Sequence, residues 1–399
     1  MLSKNQATVM KNASRLYDAL LCFVGQSAWS DPRHAYVLVW MVMGVIYEGS
    51  VNLTRWLSHV ETSARQAQST QRRFSRWLHN PRIHPTSLYR PLIQTALSHW
   101  QDPVLYLSFD TTMLWDQFCV IRLVMVYRGR AIPVFWRVLE HGSSSVTFRV
   151  YQDLLEKTNR LLPSEVTVIF LADRGFVDHQ LLRYLRQTLN WHYRIRLKSN
   201  CWVWRSGKGW QQLNQFHLER GQALMLHNVK LHKQHAVEGV HLALARENQA
   251  GTLWLIVSSE PTTLQTLREY GLRFDIEENF LDDKSNGFEW ERSGLRCPLA
   301  LSRLCLVMAV ATLYLTLQGT AVVEAKQRQW VDPHWFRGIS YLKIGWNWVK
   351  TAATRGWKLF SLSHLTSNHD PDPAKASSPQ YEQQHYRLEF QVHTFAYAV

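Results

Sequence analysis

Two apolar runs that each end in an acid constrain this chain more than any other feature. Val104-Leu105-Tyr106-Leu107-Ser108-Phe109 leads directly into Asp110, and Val166-Thr167-Val168-Ile169-Phe170-Leu171-Ala172 into Asp173. Short continuous runs of this kind read as strands buried in a sheet. In sheets covered by helices, sites form at the strand ends. A buried strand has little reason to finish on a carboxylate unless that group caps, pairs or binds metal. Taken singly, each acid also has an ordinary reading as a cap or turn residue, before Thr111-Thr112 in one case and Arg174-Gly175 in the other.

The surrounding pattern predicts a mixed α/β architecture. Phe118 to Val126 and Ala131 to Leu139 form two further strands joined by the turn Tyr127-Arg128-Gly129-Arg130. Helices are expected over Thr147 to Leu161 and Asp178 to Leu189, with a strand at Trp191 to Lys198. Three sequential strands followed by strands alternating with helices imply a mixed sheet with helices packed on it. From about residue 200 to 260 the alternation breaks. Short strand-like pieces (Val203 to Arg205, Ala223 to Leu231, Val240 to Arg246, Thr252 to Ser258) are separated by Gly-containing turns, so this stretch reads as a β-rich insertion. Helices resume at Thr263 to Lys284 and Pro298 to Leu317. The chain after Ser367 reads as a flexible tail.

The first hundred residues have helical spacing at Leu16 to Val24, Ala35 to Tyr47, Leu53 to Ala67, Gln71 to His79 and Ser87 to Trp100. They hold eleven Lys and Arg against four acids, and Arg72, Arg73 and Arg76 crowd one short helix. The whole chain of 399 residues carries a formal net charge of +14. An excess of that size calls for a polyanionic partner. Its alternative is a merely solvated surface. The longest apolar runs, Ala35 to Tyr47 and Cys305 to Leu317, are about 13 residues each, too short to span a bilayer and better suited to core helices. No signal peptide is expected. The five scattered cysteines form no C-x-x-C pair, which speaks for a reducing cytoplasm and against a disulfide framework.

A third acid gives the first two their meaning. Tyr270, Arg273, Glu277 and Lys284 follow the spacing Y-x2-R-x3-E-x6-K. On a straight helix they fall within roughly 60° of one another, while Asp275, Glu278, Asp282 and Asp283 lie at least about 80° beyond that edge. One carboxylate flanked by two cations and a phenol suits phosphodiester chemistry. An i,i+4 salt bridge would explain Arg273 and Glu277, but not the other two.

With these residues the chain resembles the DDE transposases of bacterial insertion sequences, in the cut-and-paste branch called insertion-sequence family 4. The resemblance covers about residues 60 to 320. It rests on the four-residue signature, on Phe109-Asp110-Thr111-Thr112 and on the strand ending in Asp173-Arg174. It implies an RNase H-like catalytic core interrupted by the insertion and preceded by a small helical DNA-binding domain. The boundaries expected are 1–100 for the DNA-binding domain, 101–199 for the first part of the core and 200–260 for the insertion. The second part of the core, with the Glu277 helix, takes 261–320, and a C-terminal helical region with its tail takes 321–399.

The resemblance also implies catalysis by Asp110, Asp173 and Glu277, holding two Mg²⁺ ions (or Mn²⁺) in each active site, with Asp110 shared between them. DNA contacts would come from Tyr270, Arg273 and Lys284, and from Arg72, Arg73 and Arg76. Trp254 would stack on a flipped base, although with 18 Trp in the chain a core role is the obvious alternative. The partners implied are double-stranded DNA, as element ends and as target, and a second copy of the chain on DNA, with no membrane. The runner-up readings are an RNase H-like nuclease that never joins strands and a non-catalytic DNA-binding protein derived from a transposase. His227, His232, His235 and His241 cluster in sequence, but their spacing fits no closed zinc motif.

Overall fold

The computed structural model describes residues 15–60, 66–367, 369–374 and 389–397. Lys4, Lys11, Glu61 and Arg65 lie outside the described residues. The N-terminal part holds a helix over residues 15–24 (α1), α2 (Pro32–Glu48), α3 (Ala67–Leu78) and α4 (Pro85–Leu97). Helix α2 starts where sequence chemistry puts it: the Asp31 side chain accepts from the Arg33 backbone N–H, and Pro32 takes the first turn. Of the helix expected from Leu53 to Ala67, residues 61–65 lie outside the described residues, and the described residues 53–60 do not form an α-helix. In its place stands a short 3₁₀ turn, Arg55–His59. Trp56 is fully buried there and donates its indole N–H to the Ser50 carbonyl at 2.6 Å. Its ring lies so close to Gly44 of α2 that a Cβ would meet it at 2.4 Å. Seating this indole in the glycine notch sets the local backbone, and helical periodicity in the sequence gives way to it.

The next segment is a meander of β1 (Val104–Leu114), β2 (Phe118–Tyr127) and β3 (Arg130–Glu140). Helix α5 (Phe148–Asn159) crosses to β4 (Thr167–Ala172), and α6 (His179–Arg183) to β5 (His192–Arg196). β1, β4 and β5 are mutually parallel neighbours, while β2 and β3 run antiparallel to β1 and to each other. The order β3-β2-β1-β4-β5 is that of an RNase H-like core, as expected.

The β-rich region contributes β6 (Trp202–Arg205), β7 (Gly209–Gln212), β8 (Gln222–Leu231), β9 (Val237–Arg246) and β10 (Leu253–Ser258). It does not form a separate layer. β10 pairs antiparallel with β5, so core and insertion make one eleven-stranded mixed sheet. Its last member, β11 (Gln391–Ala396), runs parallel to β8 and comes from the stretch expected to be a flexible tail. Residues 369–374 are likewise held: Asp370 accepts from Arg337 and Tyr341, and Asp372 from Arg328. The tail expectation overlooked these ion pairs.

Beyond the sheet come α7 (Leu264–Gly271), α8 (Phe274–Leu281), α9 (Pro298–Glu324) and α10 (Tyr341–Arg355). At 27 residues α9 is twice the apolar run read from sequence, and it is long and apolar enough to cross a membrane by length and composition. Here it is almost wholly buried in protein, with α2, α3, α4, α10 and β3 around it. α10 crosses it backbone to backbone, because any side chain at Gly319 or Gly345 would strike the facing carbonyl of Tyr341 or Leu315. The N-terminal helices therefore have no core of their own. Leu16, Val42, Leu105 and Leu313 belong to one continuous hydrophobic cluster.

Helix α8 rests on β1, β2 and β3 through a buried polar anchor. Arg122 of β2, 2% exposed, donates to Asn279 Oδ1 at 2.8 Å and pairs with Asp283, with the rings of Phe280 and Trp290 against its guanidinium. A strand arginine in an all-apolar run must find such a partner. Replacing Arg122 with Met leaves Asp283 as an uncompensated buried acid. Denaturant unfolding should show a loss of about 3–5 kcal/mol. Arg122→Met combined with Asp283→Leu should recover most of that loss, and an equally unstable double variant would refute the anchor.

Candidate active site

Asp110 and Asp173 come together by strand register. β1 and β4 are parallel neighbours with Phe109 opposite Ala172, so the two acids follow where the β1–β4 pairing ends. β4 stops there, whereas β1 runs on past Asp110 to Leu114 along β2, which the sequence expectation of a strand ending in Asp110 missed. Neighbouring strands are about 4.8 Å apart. Asp110 Oδ1 accepts the Thr111 backbone N–H at 2.8 Å, which fixes the carboxylate at its own strand position.

Glu277 reaches this edge from α8, and the route differs from the straight helix of the sequence reading. Between α7 and α8 the backbone tightens: Leu272, Arg273, Asp275 and Ile276 donate to carbonyls three residues back. After α8 the segment Asp282–Asn286 widens into a π-turn. These two opposite changes of pitch redistribute the expected single stripe. Glu277 is half exposed, and its Oε1 accepts from Arg273 Nη2 at 2.5 Å. Arg273 is buried and also donates from Nη1 to Asp110 Oδ2 at 3.3 Å. Its guanidinium thus bridges the first and third acids. Lys284 donates to the carbonyl of Met113, three residues beyond Asp110 on β1, at 2.8 Å.

Tyr270 does not face the opening. It is 1% exposed, and its ring meets Trp254 edge-on at 5.7 Å in a small cluster with Leu267 and Ile256. Burial pushes its hydroxyl up to about 12. Trp254 is 7% exposed, so its ring is a core surface beneath Tyr270 and Phe274 rather than an open platform. Of the three arginines on α3, Arg72 and Arg76 are exposed, while Arg73 covers the Trp40 ring at 5.5 Å. That helix packs on α2 and α9, and its Phe74, Trp77 and Leu78 are buried. The insertion histidines disperse: His227 lies edge-on to His241, and His235 stacks on His179.

Arg122, Asn279 and Asp283 escaped the sequence reading. Arg122 sits directly across from Asp110 in the β1–β2 register. The anchor that holds α8 therefore starts from the residue facing the first acid. A signal was present: a lone arginine inside Phe118 to Tyr127, where every other residue is apolar.

Electrostatically, Asp110 is held at a cost. Burial raises its carboxyl to about 6, the Thr111 N–H and Arg273 oppose the rise, and the charges of Asp173 and Glu277 add to it. Asp110 therefore feels the charges of both other acids. Among the described residues no three His, Cys, Asp or Glu side chains converge as a ready metal cage. The donor set of three carboxylates with hard oxygens nevertheless suits a hard divalent cation.

Residues 116–314, nearly half of the chain, match the family model described as "Transposase DDE domain". Asp173 and Glu277 lie inside that span, and Asp110 just before it. The match supports a DDE transposase. No curated protein matches the chain. Among solved structures, it is similar to one described as the cryo-EM structure of a piggyBac transposase synaptic complex with hairpin DNA. The TM-score is 0.44 at 9% identity, over 87% of this chain and 79% of that one.

The raised carboxyl at Asp110 has a definite sign. A folded value of about 6 above the ordinary 3.8 means that folding favours the protonated acid. Stability is then highest below the unfolded value and is lost as pH rises through about 6. Asp110→Asn should therefore stabilise the protein by about 1–2 kcal/mol at pH 8. The gain should vanish near pH 4. Urea unfolding at the two pH values reads this directly, and a destabilised variant at pH 8 would contradict it.

Proposed function

We propose that the chain is a cut-and-paste DNA transposase of the insertion-sequence family 4 type, with Asp110, Asp173 and Glu277 as its catalytic acids. It would act in the bacterial cytoplasm as a homodimer on the terminal inverted repeats of its own element. One observation carries the proposal: two acids that follow the end of the β1–β4 pairing in register, and a helix glutamate joined to the first of them by a shared arginine. A plain structural salt bridge would account for Arg273 and Glu277, but not for the buried, unfavourable charge of Asp110 beside two further acids.

In this reading the three carboxylates hold two Mg²⁺ ions, or Mn²⁺ in substitution. Bound there, such ions supply a hydroxide-like nucleophile and Lewis-acid stabilisation of the leaving oxygen. The chain's own residues do the rest. Asp110 would hold the ions together with Asp173, on the neighbouring strand, and Glu277, linked to it through Arg273. Lys284, moored beside β1, presents a cation for a phosphate next to the scissile bond. Arg72 and Arg76 offer exposed charge for duplex backbone away from the chemistry, and Arg73 adds to it from over Trp40. Tyr270 and Trp254 form the packed wall behind Arg273, and base stacking on Trp254 would require that wall to open. Water attacks phosphorus at the element end, and the P–O3′ bond breaks to leave a free 3′-hydroxyl. That hydroxyl would attack the opposite-strand phosphate, closing a hairpin as the P–O3′ bond to the flanking DNA breaks and releases its 3′-hydroxyl. Water would reopen the hairpin to a 3′-hydroxyl and a 5′-phosphate, and each 3′-hydroxyl would then attack a target phosphate and expel a target 3′-hydroxyl.

The test uses duplexes carrying the inverted repeats that flank the reading frame, incubated with Mg²⁺. The expected products are nicked and hairpin species. Asp110→Asn, Asp173→Asn and Glu277→Gln should each lower their rate by at least about a hundredfold. Full activity in Glu277→Gln would sink the proposal. Pre-cut ends mixed with a plasmid separate the nearest rival, because cleavage without joined products indicates a nuclease that does not transfer strands.

A further inference from the structure

The arginine at the centre of the site is engaged in a way its expected role does not require. A phosphate-gripping arginine should point outward. Arg273 instead has a side chain only 5% exposed, with Phe274 against its guanidinium at 4.6 Å. Its two terminal nitrogens bond one oxygen from each of two acids, Asp110 Oδ2 at 3.3 Å and Glu277 Oε1 at 2.5 Å. Its backbone is fixed as well, since Ser108 Oγ donates to the Arg273 carbonyl. Asp110 and Glu277 are two of the three acids proposed to hold the divalent cations. A hard cation binds carboxylate oxygens at about 2.0–2.1 Å and demands near-ideal geometry. A carboxylate oxygen has lone pairs for both, but a cation and a guanidinium held on the same two acids repel one another and compete for their charge.

We infer that Arg273 is a resident counter-ion of Asp110 and Glu277 with which a divalent cation competes, and that the guanidinium loosened by that competition is then the group that grips DNA phosphate. This rests on the transposase reading of the three acids. Its consequence is coupling. A metal that takes Asp110 Oδ2 and Glu277 Oε1 frees a positive charge for the backbone. A phosphate that draws Arg273 away bares two ligand oxygens. Each event then favours the other by the same factor. The arginine thus discourages metal loading without DNA, when activated water would serve no substrate. Lys284 is the contrasting cation: it is moored to the neutral carbonyl of Met113 and competes with nothing for the carboxylates.

The probe is Mn²⁺ alone, titrated into the full chain and followed by electron paramagnetic resonance. Arg273→Gln should bind Mn²⁺ about tenfold more tightly than the unaltered protein, and Lys284→Gln should change affinity by less than about threefold. Arg273→Lys, which offers a point charge and cannot bridge both acids, should fall between and serves if the Gln variant fails to fold. A second titration uses Ca²⁺ and a fluorescein-labelled duplex read by anisotropy. Ca²⁺ should tighten duplex binding in the unaltered protein, and this enhancement should shrink at least about threefold in Arg273→Gln.

Unchanged or weaker Mn²⁺ binding in Arg273→Gln would overturn the inference. So would equal tightening in Arg273→Gln and Lys284→Gln, because that signals a general charge effect. An unaltered Ca²⁺ enhancement would overturn it too. Asp110→Asn distinguishes the two levels of argument. If it abolishes Mn²⁺ binding while Arg273→Gln has no effect, only the competition is wrong. If neither the unaltered protein nor Arg273→Gln binds Mn²⁺, the metal-site reading itself falls with it.

Discussion

The arrangement of this site depends on one buried ion pair. Arg122 leaves β2 directly opposite Asp110 and ends on Asn279 and Asp283, at the end of α8 and just beyond it. Helix α8 is also tied from β3, where Arg130 pairs with Glu278 and lies near Asp282, but those groups are more exposed than the Arg122 anchor. The helix's core contacts to the sheet are Ile276 and Phe280 against Val124 and Ala131, a small apolar patch that could slide by a residue at little cost. A guanidinium with fixed donor directions cannot slide. It specifies where the helix sits, and therefore where Glu277 sits two residues before Asn279. Such a pair contributes little net stability against an apolar replacement, but it imposes a unique register. That distinction explains why a carboxylate half exposed to solvent can still be aimed.

The sheet serves the same end by a different route. β1, β4 and β5 bring their carboxyl ends to one edge, and parallel register alone aligns Asp110 with Asp173. The insertion lengthens the same sheet through β10, so it stiffens the scaffold of the core instead of hanging beside it. Arg194 reinforces that junction. It is buried beside β10 and pairs with Glu260 and Glu269, tying β5 to the segment that leads into α7. Displacing the insertion would therefore tilt the helix pair that carries Arg273 and Glu277.

Much of this was legible in the sequence, for reasons that particular residues make plain. The strands that lead into Asp110 and Asp173 were readable because a continuous apolar run has few other uses, but the continuation of β1 to Leu114 was not, because it depends on pairing with β2. Four strands of the insertion were readable from their apolar runs; the glycine breaks at Gly207 and Gly251 are turns, but Gly239 lies inside β9. The stripe Tyr270, Arg273, Glu277 and Lys284 was found by spacing, but its geometry was not, since spacing assumes a constant helical pitch. The tightened step at Leu272 and Arg273 and the π-turn after Leu281 follow from tertiary demands: Tyr270 must reach Trp254, and Asp283 must reach Arg122. The acids set aside as off the face include Asp283, the anchor of the helix. Sequence periodicity sees which residues share a side. It cannot see which side is pinned.

The same limit explains the tail and the helix expected from Leu53. Both were judged by local composition, and both are governed by distant partners: Arg328 and Arg337 for residues 369–374, β8 for β11, and the Gly44 notch for Trp56. Asp110 shows the converse. Its carboxyl is pushed up to about 6 by burial, an environment no local rule supplies, and the fold tolerates that cost beside two other acids. A stable protein has no use for a buried acid held beside the charges of two others. Their retention, with an arginine rather than apolar packing between two of them, is the arrangement expected where charge must be exchangeable. A site meant only to be stable would have resolved the repulsion permanently, whereas this one resolves it with a cation that can leave.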